Sequence, residues 1–265
     1  MRDLSQVRLY LPEETAEAQL AELRALLAEL PGRYPACEFG PLTLALDRIP
    51  DEDWANSWKQ NYRPLPVGER LLVVPQWMTV DDLQGRLPVI LDLGLTFGTG
   101  EHASTQLCMR ALESLLHGGE RVADLGSGSG ILSVSALRLG AASAVGVDID
   151  PSAEHIAAAN AAQNGFGPDR FTARTGDVVE DADFLQALAG DGFDIVCANI
   201  VADVIIRLAP VVPKLMRPAA AFVCSGILTT REDDVRAALA AAGLEIVHAA
   251  REGEWCGLTA RLGER

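Results

Sequence analysis

One stretch, Val122–Gly130, constrains the fold of this 265-residue chain more than any other. It begins with four residues typical of a short buried strand, continues through three alternate glycines, and leads into an apolar, helix-forming segment at Ile131. A helix that begins directly after a glycine loop directs its free backbone N–H groups toward whatever lies above the loop. Glycine there permits a positive φ and a close approach by a ligand. The stretch therefore predicts a ligand site where a strand passes into a helix.

From residue 121 onward, strand-like segments alternate with helix-like segments. The seven predicted strands are Arg121–Leu125, Ala144–Asp148, Phe171–Thr175, Phe193–Asn199, Ala220–Ser225, Leu244–Ala250 and Cys256–Leu262. The helices between them are predicted near 130–139, 152–164, 181–189, 201–216 and 230–242. This order predicts right-handed crossovers and a mostly parallel sheet with helices on both faces. A short polar turn joins the last two strands, so we expect an α/β, Rossmann-like fold with seven strands and an antiparallel last strand.

The spacing of the glycines restricts the ligand. Gly126, Gly128 and Gly130 form a G-x-G-x-G pattern, whereas a dinucleotide fingerprint needs G-x-G-x-x-G. Asp124 lies just before the loop, where its carboxylate would disfavour a pyrophosphate and favour a cationic ligand or an amino group. Asp148 ends the next strand, where an acid can accept hydrogen bonds from both ribose hydroxyls of a nucleoside. This combination resembles the S-adenosylmethionine-dependent methyltransferases. The alternative hypothesis is a nicotinamide-dependent oxidoreductase, and the spacing of the glycines argues against it.

Three further polar residues follow predicted strands. Asp150 is a better candidate than Asp148 for the N-cap of the next helix, because Pro151 opens that helix. Asp177 is predicted either to lie near the adenine edge of the cofactor or to act as a turn acid, with equal weight. Asn199 ends the fourth strand, where its amide carbonyl can accept a hydrogen bond from an attacking amine; a helix cap is the alternative. Positioning of this kind supplies much of the rate of an in-line transfer.

Charge and composition limit the partners. The chain carries 22 Lys and Arg against 37 Asp and Glu, a net charge of −15, which argues against broad contact with a nucleic-acid backbone and suits a basic protein. The five cysteines form no C-x-x-C pair, so we expect buried thiols in a reducing compartment, without metal. We find neither a signal peptide nor the roughly 20 consecutive apolar residues of a membrane span. We therefore expect a cytoplasmic monomer that binds neither nucleic acid nor membrane.

The first part of the chain predicts a small separate α+β unit. Its helix carries an apolar stripe of leucines, Leu20, Leu23, Leu27 and Leu30. A unit of about 50 residues buries little surface alone, so it should pack on a neighbour or a partner. We predict an N-terminal domain over residues 1–50, a linker helix over 51–66 with Trp54 and Trp58 on one face, and a methyltransferase domain over 67–265.

Several segments outside the glycine loop carry a closer resemblance. They are Asp53–Lys59, Phe97–His102 with Ser104 and Thr105, Ala198–Ile200, Ser225–Leu228 and Gly253–Trp255. From about residue 50 onward the chain resembles the bacterial ribosomal protein L11 methyltransferases. The resemblance implies methylation of lysine side chains and an N-terminal α-amine on that large-subunit ribosomal protein. It also implies that the N-terminal domain recognises the substrate.

By position, the resemblance places Thr105, Gly126, Asp148 and Asn199 at the cofactor, with Asn199 also near the incoming amine. The segment from Phe97 to His102 would close over the methionine end of the cofactor. The candidate cofactor contacts are accordingly Phe97, Thr105, Asp124, Gly126, Gly128, Asp148, Asp177 and Asn199.

The candidate catalytic residues are Asn199 and His102. His102 is a candidate proton acceptor, although a loop histidine more commonly makes a structural hydrogen bond. One departure is that the family usually has Asp-Pro-Gly where this chain has Asp92-Leu93-Gly94. Two alternatives stay open at this point: the same chemistry on another protein or a small amine, and a non-catalytic ribosome-assembly factor.

Overall fold

The computed structural model describes residues 11, 13–35, 39–40, 42–44, 62–92 and 100–263. The chain divides into two compact units, Met1–Gln60 and Asn61–Arg265. In the first unit, helix α1 spans Glu13–Arg33. The leucines of the predicted stripe are half-buried positions on this helix, whereas most of its other described side chains are exposed. The stripe is therefore the inward face of α1, as its spacing predicts.

The linker helix predicted over 51–66 lies mostly outside the described residues. Residues 62–64 are not helical, and Leu65 and Pro66 belong to the first strand. A linker helix thus cannot extend to residue 66. Pro64 and Pro66 explain this end, because proline lacks the N–H that an α-helical ladder requires.

The second unit contains two sheets. The smaller has three strands, β1 (Leu65–Val67), β2 (Leu71–Pro75) and β3 (Leu87–Leu91), in the order β1-β2-β3. Strand β1 is antiparallel to β2, and β2 is parallel to β3. All five residues of β2 are buried, as expected of an apolar central strand.

The larger sheet has seven strands in the order β6-β5-β4-β7-β8-β10-β9. They are β4 (Arg121–Leu125), β5 (Ser143–Asp148), β6 (Phe171–Thr175), β7 (Phe193–Asn199), β8 (Met216–Leu228), β9 (Leu244–Glu252) and β10 (Trp255–Leu262). Strands β4 to β8 pair in parallel, and β10 is antiparallel to both β8 and β9. The predicted fold class is confirmed, including its antiparallel last strand.

Helices connect these strands. They are α2 (Ala103–Leu115), α3 (Ile131–Arg138), α4 (Pro151–Gln163), α5 (Ala182–Ala189), α6 (Ala202–Leu208), α7 (Val212–Leu215) and α8 (Glu232–Ala241), with a 3-10 turn at Thr229–Arg231. The single helix predicted over 201–216 is wrong, since α6 and α7 are separate. Pro210 and Pro213 lack the N–H groups that would continue one ladder through this segment.

Alternate residues of the central strands face opposite sides of the large sheet. Val122 and Ile195 pack with α2, α3, α4 and the small sheet, whereas Ala123 and Val196 pack with α5 to α8. The sheet is thus buried on both faces, as parallel sheets usually are. From β4 the chain runs through β5 and β6 on one side and returns to β7 on the other. The carboxyl ends of β4 and β7 therefore form the switch point where an α/β sheet binds its ligand.

Candidate active site

The glycine loop leaves β4 in a conformation that favours glycine. Gly126, Gly128 and Gly130 have φ angles of 74°, 50° and 77°, in the left-handed region where a side chain is strained. A Cβ at Gly126 would stand 3.0 Å from Cδ1 of Ile200, and one at Gly130 would stand 3.0 Å from Cβ of Ala157. The loop therefore combines a special backbone with close packing against its neighbours.

Asp148, at the end of β5, lies against this loop. Its Oδ2 accepts a hydrogen bond from the N–H of Gly128 at 2.9 Å, and its Oδ1 accepts from the N–H of Asp150 at 3.0 Å. The N-cap of α4 is Asp150, whose carboxylate accepts from the N–H of Ser152 at 2.9 Å. The structure thus separates the two acids as the sequence indicates: Asp150 caps a helix, and Asp148 faces the glycine loop.

Asp124 lies beneath the loop and is 1% exposed. Its Oδ2 accepts from the N–H of Ser133 at 3.1 Å and from the hydroxyl of Ser133 at 2.8 Å, which ties the end of β4 to the first turn of α3. Its Oδ1 is buried and has no hydrogen-bond partner among the residues that the structure describes. The nearby thiol of Cys197 donates to the carbonyl of Ala123 at 3.4 Å.

Burial raises the pKa of the Asp124 carboxyl to about 6, and the negative charge of Asp148 adds to the rise, while the two hydrogen bonds from Ser133 oppose it. A buried carboxylate beside a second acid suits a cationic or amine-bearing ligand, which would stabilise its ionised form. The unpaired Oδ1 and the glycine-lined loop above it therefore fit the sulfonium and amino groups of S-adenosylmethionine.

Asp177, after β6, makes a tight local turn. Its Oδ1 accepts from the N–H of Val179 at 2.8 Å and from the N–H of Glu180 at 3.2 Å. This is the turn-acid role that the sequence left open. One oxygen is used in the turn, and a contact with the adenine edge stays a prediction for the other.

Asn199, at the end of β7, meets Thr105 from the first turn of α2. The amide Nδ2 of Asn199 donates to Oγ1 of Thr105 at 2.9 Å, and Thr105 is 2% exposed. The bond uses the donor side of the amide and leaves its carbonyl oxygen as the group that can accept from a substrate. Asn199 therefore binds a side chain of another element. It does not cap α6, which was the alternative role, because the N-cap residue of α6 is Val201.

His102 is the N-cap of α2. Its Nδ1 lies 2.7 Å from the hydroxyl of Ser104 and 3.4 Å from the N–H of Ser104, and its exposed ring packs edge-on against Trp255 with centroids 4.5 Å apart. These contacts give His102 the structural hydrogen bond that the sequence favours. A role as proton acceptor stays a prediction, and it would fall to Nε2, since Nδ1 is engaged in the cap.

The structure leaves two of the predicted regions undescribed, and it shows two buried side chains that the sequence did not single out. Phe97 and the segment Asp53–Lys59 lie outside the described residues. The sequence reasoning overlooked two buried asparagines, Asn160 on α4 and Asn164 at the C-cap of that helix. Two asparagines four residues apart on the inward face of an alanine-rich helix were the available signal, because buried amides need partners.

Neighbouring strands bring the two parts of the site together, with Leu125 of β4 opposite Ala198 of β7 and Asn199 opposite Ser225 of β8. A glycine loop over a buried carboxylate, with an acid against the loop and an amide at the same sheet edge, is typical of one class of enzyme. The fold and site are those of an S-adenosylmethionine-dependent methyltransferase.

Comparison with known proteins identifies the family. The family model described as ribosomal protein L11 methyltransferase (PrmA) matches residues 2–262. The ribosomal protein L11 methyltransferase of Pelotomaculum thermopropionicum is 42% identical over 98% of this chain and 80% of its own length. That of Pelobacter propionicus is 38% identical over 98% of this chain and 82% of its own length.

A solved structure agrees. The crystal structure of the ribosomal protein L11 methylase from Lactobacillus delbrueckii subsp. bulgaricus superposes with a TM-score of 0.67 at 29% identity, covering 77% of this chain and 99% of that one. The chain belongs to the ribosomal protein L11 methyltransferase family. Among its described residues, no helix has the length and apolar character needed to span a membrane, and no group of three or more His, Cys, Asp or Glu is placed to hold a metal ion.

Proposed function

We propose that this protein transfers methyl groups from S-adenosylmethionine to the lysine side chains and N-terminal α-amine of ribosomal protein L11. The contact between Asn199 and Thr105 is the observation that carries the proposal. It fixes the amide with its carbonyl oxygen as the acceptor, at the sheet edge where the glycine loop also begins. An amine is a hydrogen-bond donor with one lone pair, which such an acceptor can orient.

The cofactor supplies an activated methyl group on a sulfonium sulfur. We assign its nucleoside to Asp148 and the glycine loop, and its positively charged part to the region of Asp124. The protein's own contribution is binding and orientation, which is the main catalytic term for an in-line displacement without a covalent intermediate.

The attacking amine must lose its proton before it reacts. A free lysine has a pKa of about 10.4 and an α-amine one of about 7.7–8.0. Burial of either amine in the site would lower its pKa by disfavouring the charged form. The carbonyl of Asn199 would then accept from a remaining N–H and direct the lone pair toward the methyl group.

The net charge of −15 supports a basic protein as the substrate, through long-range attraction. We assign recognition of that substrate to the N-terminal domain over residues 1–50, joined by the linker segment. Opposite charge speeds encounter, and the N-terminal domain would select which basic protein is held near the site.

Mass spectrometry of purified L11 incubated with the full chain and S-adenosylmethionine tests this function. We expect successive methyl additions on L11 and none on L11 whose amines have been acetylated beforehand. Methyl transfer to the acetylated protein would contradict amine chemistry. Cofactor binding without any methylated L11 would instead favour another substrate or a non-catalytic assembly factor, which a panel of basic proteins and small amines separates.

A further inference from the structure

Helix α4 carries two asparagines that the methyl-transfer chemistry does not use. Asn160 and Asn164 are 1% and 4% exposed, and their neighbours on the helix are mainly alanine. A buried amide costs free energy unless its donor and acceptor groups are paired. The partners of these two amides therefore indicate what each one does.

Asn164 connects α4 to strand β3. Its Oδ1 accepts from the N–H of Ile90 at 2.9 Å, and its Nδ2 donates to the carbonyl of Ile90 at 2.6 Å. The guanidinium of Arg138 donates to the same Oδ1, from Nε at 3.3 Å and Nη2 at 3.1 Å. These contacts join α4 to β3 and to α3, so Asn164 completes the outer edge of the small sheet.

Asn160 makes a different connection. Its Oδ1 accepts from the N–H of Asp92 at 3.0 Å, just beyond the end of β3, and its Nδ2 donates to the carbonyl of Ser129 at 2.8 Å. Ser129 lies between the last two glycines of the loop. A single buried side chain thus joins the backbone that follows β3 to the backbone of the glycine loop.

Helix and strand geometry explain why both amides fit. Four residues along a helix advance about 6 Å, and two residues along a strand advance about 6.6 Å. One turn of helix therefore matches two residues of strand, so Asn160 can contact Asp92 while Asn164 contacts Ile90. Ala157 lies one turn further along α4 and packs on Gly130, since a Cβ there would be 3.0 Å from that of Ala157. Helix α4 holds the loop at two points.

We propose that Asn160 is a positioning residue for the cofactor, acting through the carbonyl of Ser129 to keep the glycine loop in the shape in which Gly128 meets Asp148. Asn160 touches neither the cofactor nor the reacting atoms. Asn164 is its structural counterpart and makes no contribution to binding. The proposal rests on the assignment of S-adenosylmethionine to this loop.

Two matched substitutions on the full-length chain test it. Asn160→Asp keeps the acceptor for the N–H of Asp92 and replaces the donor facing Ser129 with a carboxylate oxygen. Asn164→Asp makes the same substitution one helical turn away, where the new carboxylate faces the carbonyls of Ile90 and Asn160 and also pairs with the guanidinium of Arg138. Calorimetric titration with S-adenosylhomocysteine measures affinity, urea unfolding measures stability, and steady-state kinetics separate KM from kcat.

We expect Asn160→Asp to lose stability, because it leaves a buried carbonyl facing a carboxylate, and Asn164→Asp to lose less, because Arg138 pairs with the new charge. Only Asn160→Asp should bind S-adenosylhomocysteine about tenfold more weakly, the scale of one lost buried hydrogen bond. Its KM for S-adenosylmethionine should rise in proportion, with kcat within about twofold of the wild type. A second pair, Asn160→Ser and Asn164→Ser, makes the same comparison without a buried charge if the first pair does not fold.

Equal weakening of cofactor binding in the two members of a pair would overturn the proposal, because Asn160 would then act only through stability. Unchanged affinity in both members would overturn it as well. Failure of the wild-type chain to bind S-adenosylhomocysteine is a distinct result, which would overturn the proposed function itself.

Discussion

The two halves of the candidate site are built in different ways. The donor half consists of the glycine loop with Asp124 and Asp148, whose carboxylates accept hydrogen bonds from backbone N–H groups only 9 and 20 residues away along the chain. The acceptor half consists of His102, Thr105, Asn199 and Trp255, and its central bond joins two side chains 94 residues apart. Local backbone contacts form one half, and tertiary docking of α2 on the sheet forms the other.

In the donor half, the requirements of ligand binding oppose those of stability. The donor half keeps a buried, partly unpaired carboxylate that a folded protein would be more stable without. The acceptor half pairs its polar groups with each other or exposes them. Changes in the donor half should therefore separate stability from binding, whereas changes in the acceptor half should act on turnover.

Asp124→Asn is the change with the largest expected effect on stability. The folded-state pKa of about 6 lies above the ordinary aspartate value of 3.8, so the ionised carboxyl destabilises the ligand-free fold above pH 6. As the pH falls from 6 to 4, the folded state takes up a proton that the unfolded state does not, and this penalty disappears. The full shift corresponds to about 3 kcal/mol, because one pKa unit is about 1.4 kcal/mol.

We expect Asp124→Asn to be more stable than the wild type at pH 8 and to lose most of that advantage at pH 4.5. Urea unfolding of the ligand-free proteins at the two pH values measures the difference. The same variant should bind S-adenosylhomocysteine more weakly. A stability difference that does not change with pH would show that Asp124 is already protonated or paired in the folded protein.

Asn199→Ala tests the acceptor half. We expect kcat to fall about a hundredfold, the scale of a misplaced reacting group, with the Kd for S-adenosylhomocysteine within about threefold. Thr105→Ser is the control, because it keeps the hydroxyl that accepts from Asn199 and should keep most of the activity. If Kd rises as far as kcat falls, Asn199 belongs to the donor half, and the site does not divide into a binding half and a turnover half.

Asp148→Ala returns to the donor half. It removes the acceptor for Gly128 together with the proposed ribose contact, so S-adenosylhomocysteine should bind more than tenfold more weakly. Asp150→Ala provides the comparison, since it removes a helix cap, lowers stability and should leave affinity near the wild-type value. Calorimetry on both variants decides, and an unchanged affinity in Asp148→Ala would remove the ribose assignment.

His102→Ala should have the smallest effect. It removes the N-cap of α2 and the ring contact with Trp255, at a cost of about 1 kcal/mol in unfolding free energy. His102→Asn restores a good cap without an imidazole, so it should recover both stability and kcat. A stable His102→Asn protein with a large loss of kcat would instead establish the histidine as a proton acceptor.

The same contrast between the two halves explains how much of the site the sequence could predict. The strand, loop and acid of the donor half are close in the chain, so their residue types and spacing predict their neighbours. The sequence distinguishes the helix cap Asp150 from Asp148 because a proline directly follows Asp150 alone. Asn199 could be placed only at a sheet edge, since its partner Thr105 comes from a distant helix. Asp177 stayed ambiguous because one carboxylate can serve a turn and a ligand equally.

Other features had no local signal at all. The packing of His102 on Trp255 depends on how the β9–β10 hairpin docks beside α2, which no spacing within either segment specifies. The partners of Asn160 lie on a strand and a loop that are distant in the chain and meet only in the folded core.

The position of β10 has a consequence for how the chain reaches this structure. β10 lies between β8 and β9, and β9 pairs with β10 alone in the large sheet. β9 is synthesised first, yet it has no neighbouring strand until β10 has formed and inserted. β9 can therefore join the sheet only together with β10 or after it, and until β10 pairs with β8 the edge of β8 is an open pairing surface on an unfinished sheet. During that interval a nascent chain is exposed to pairing with another copy.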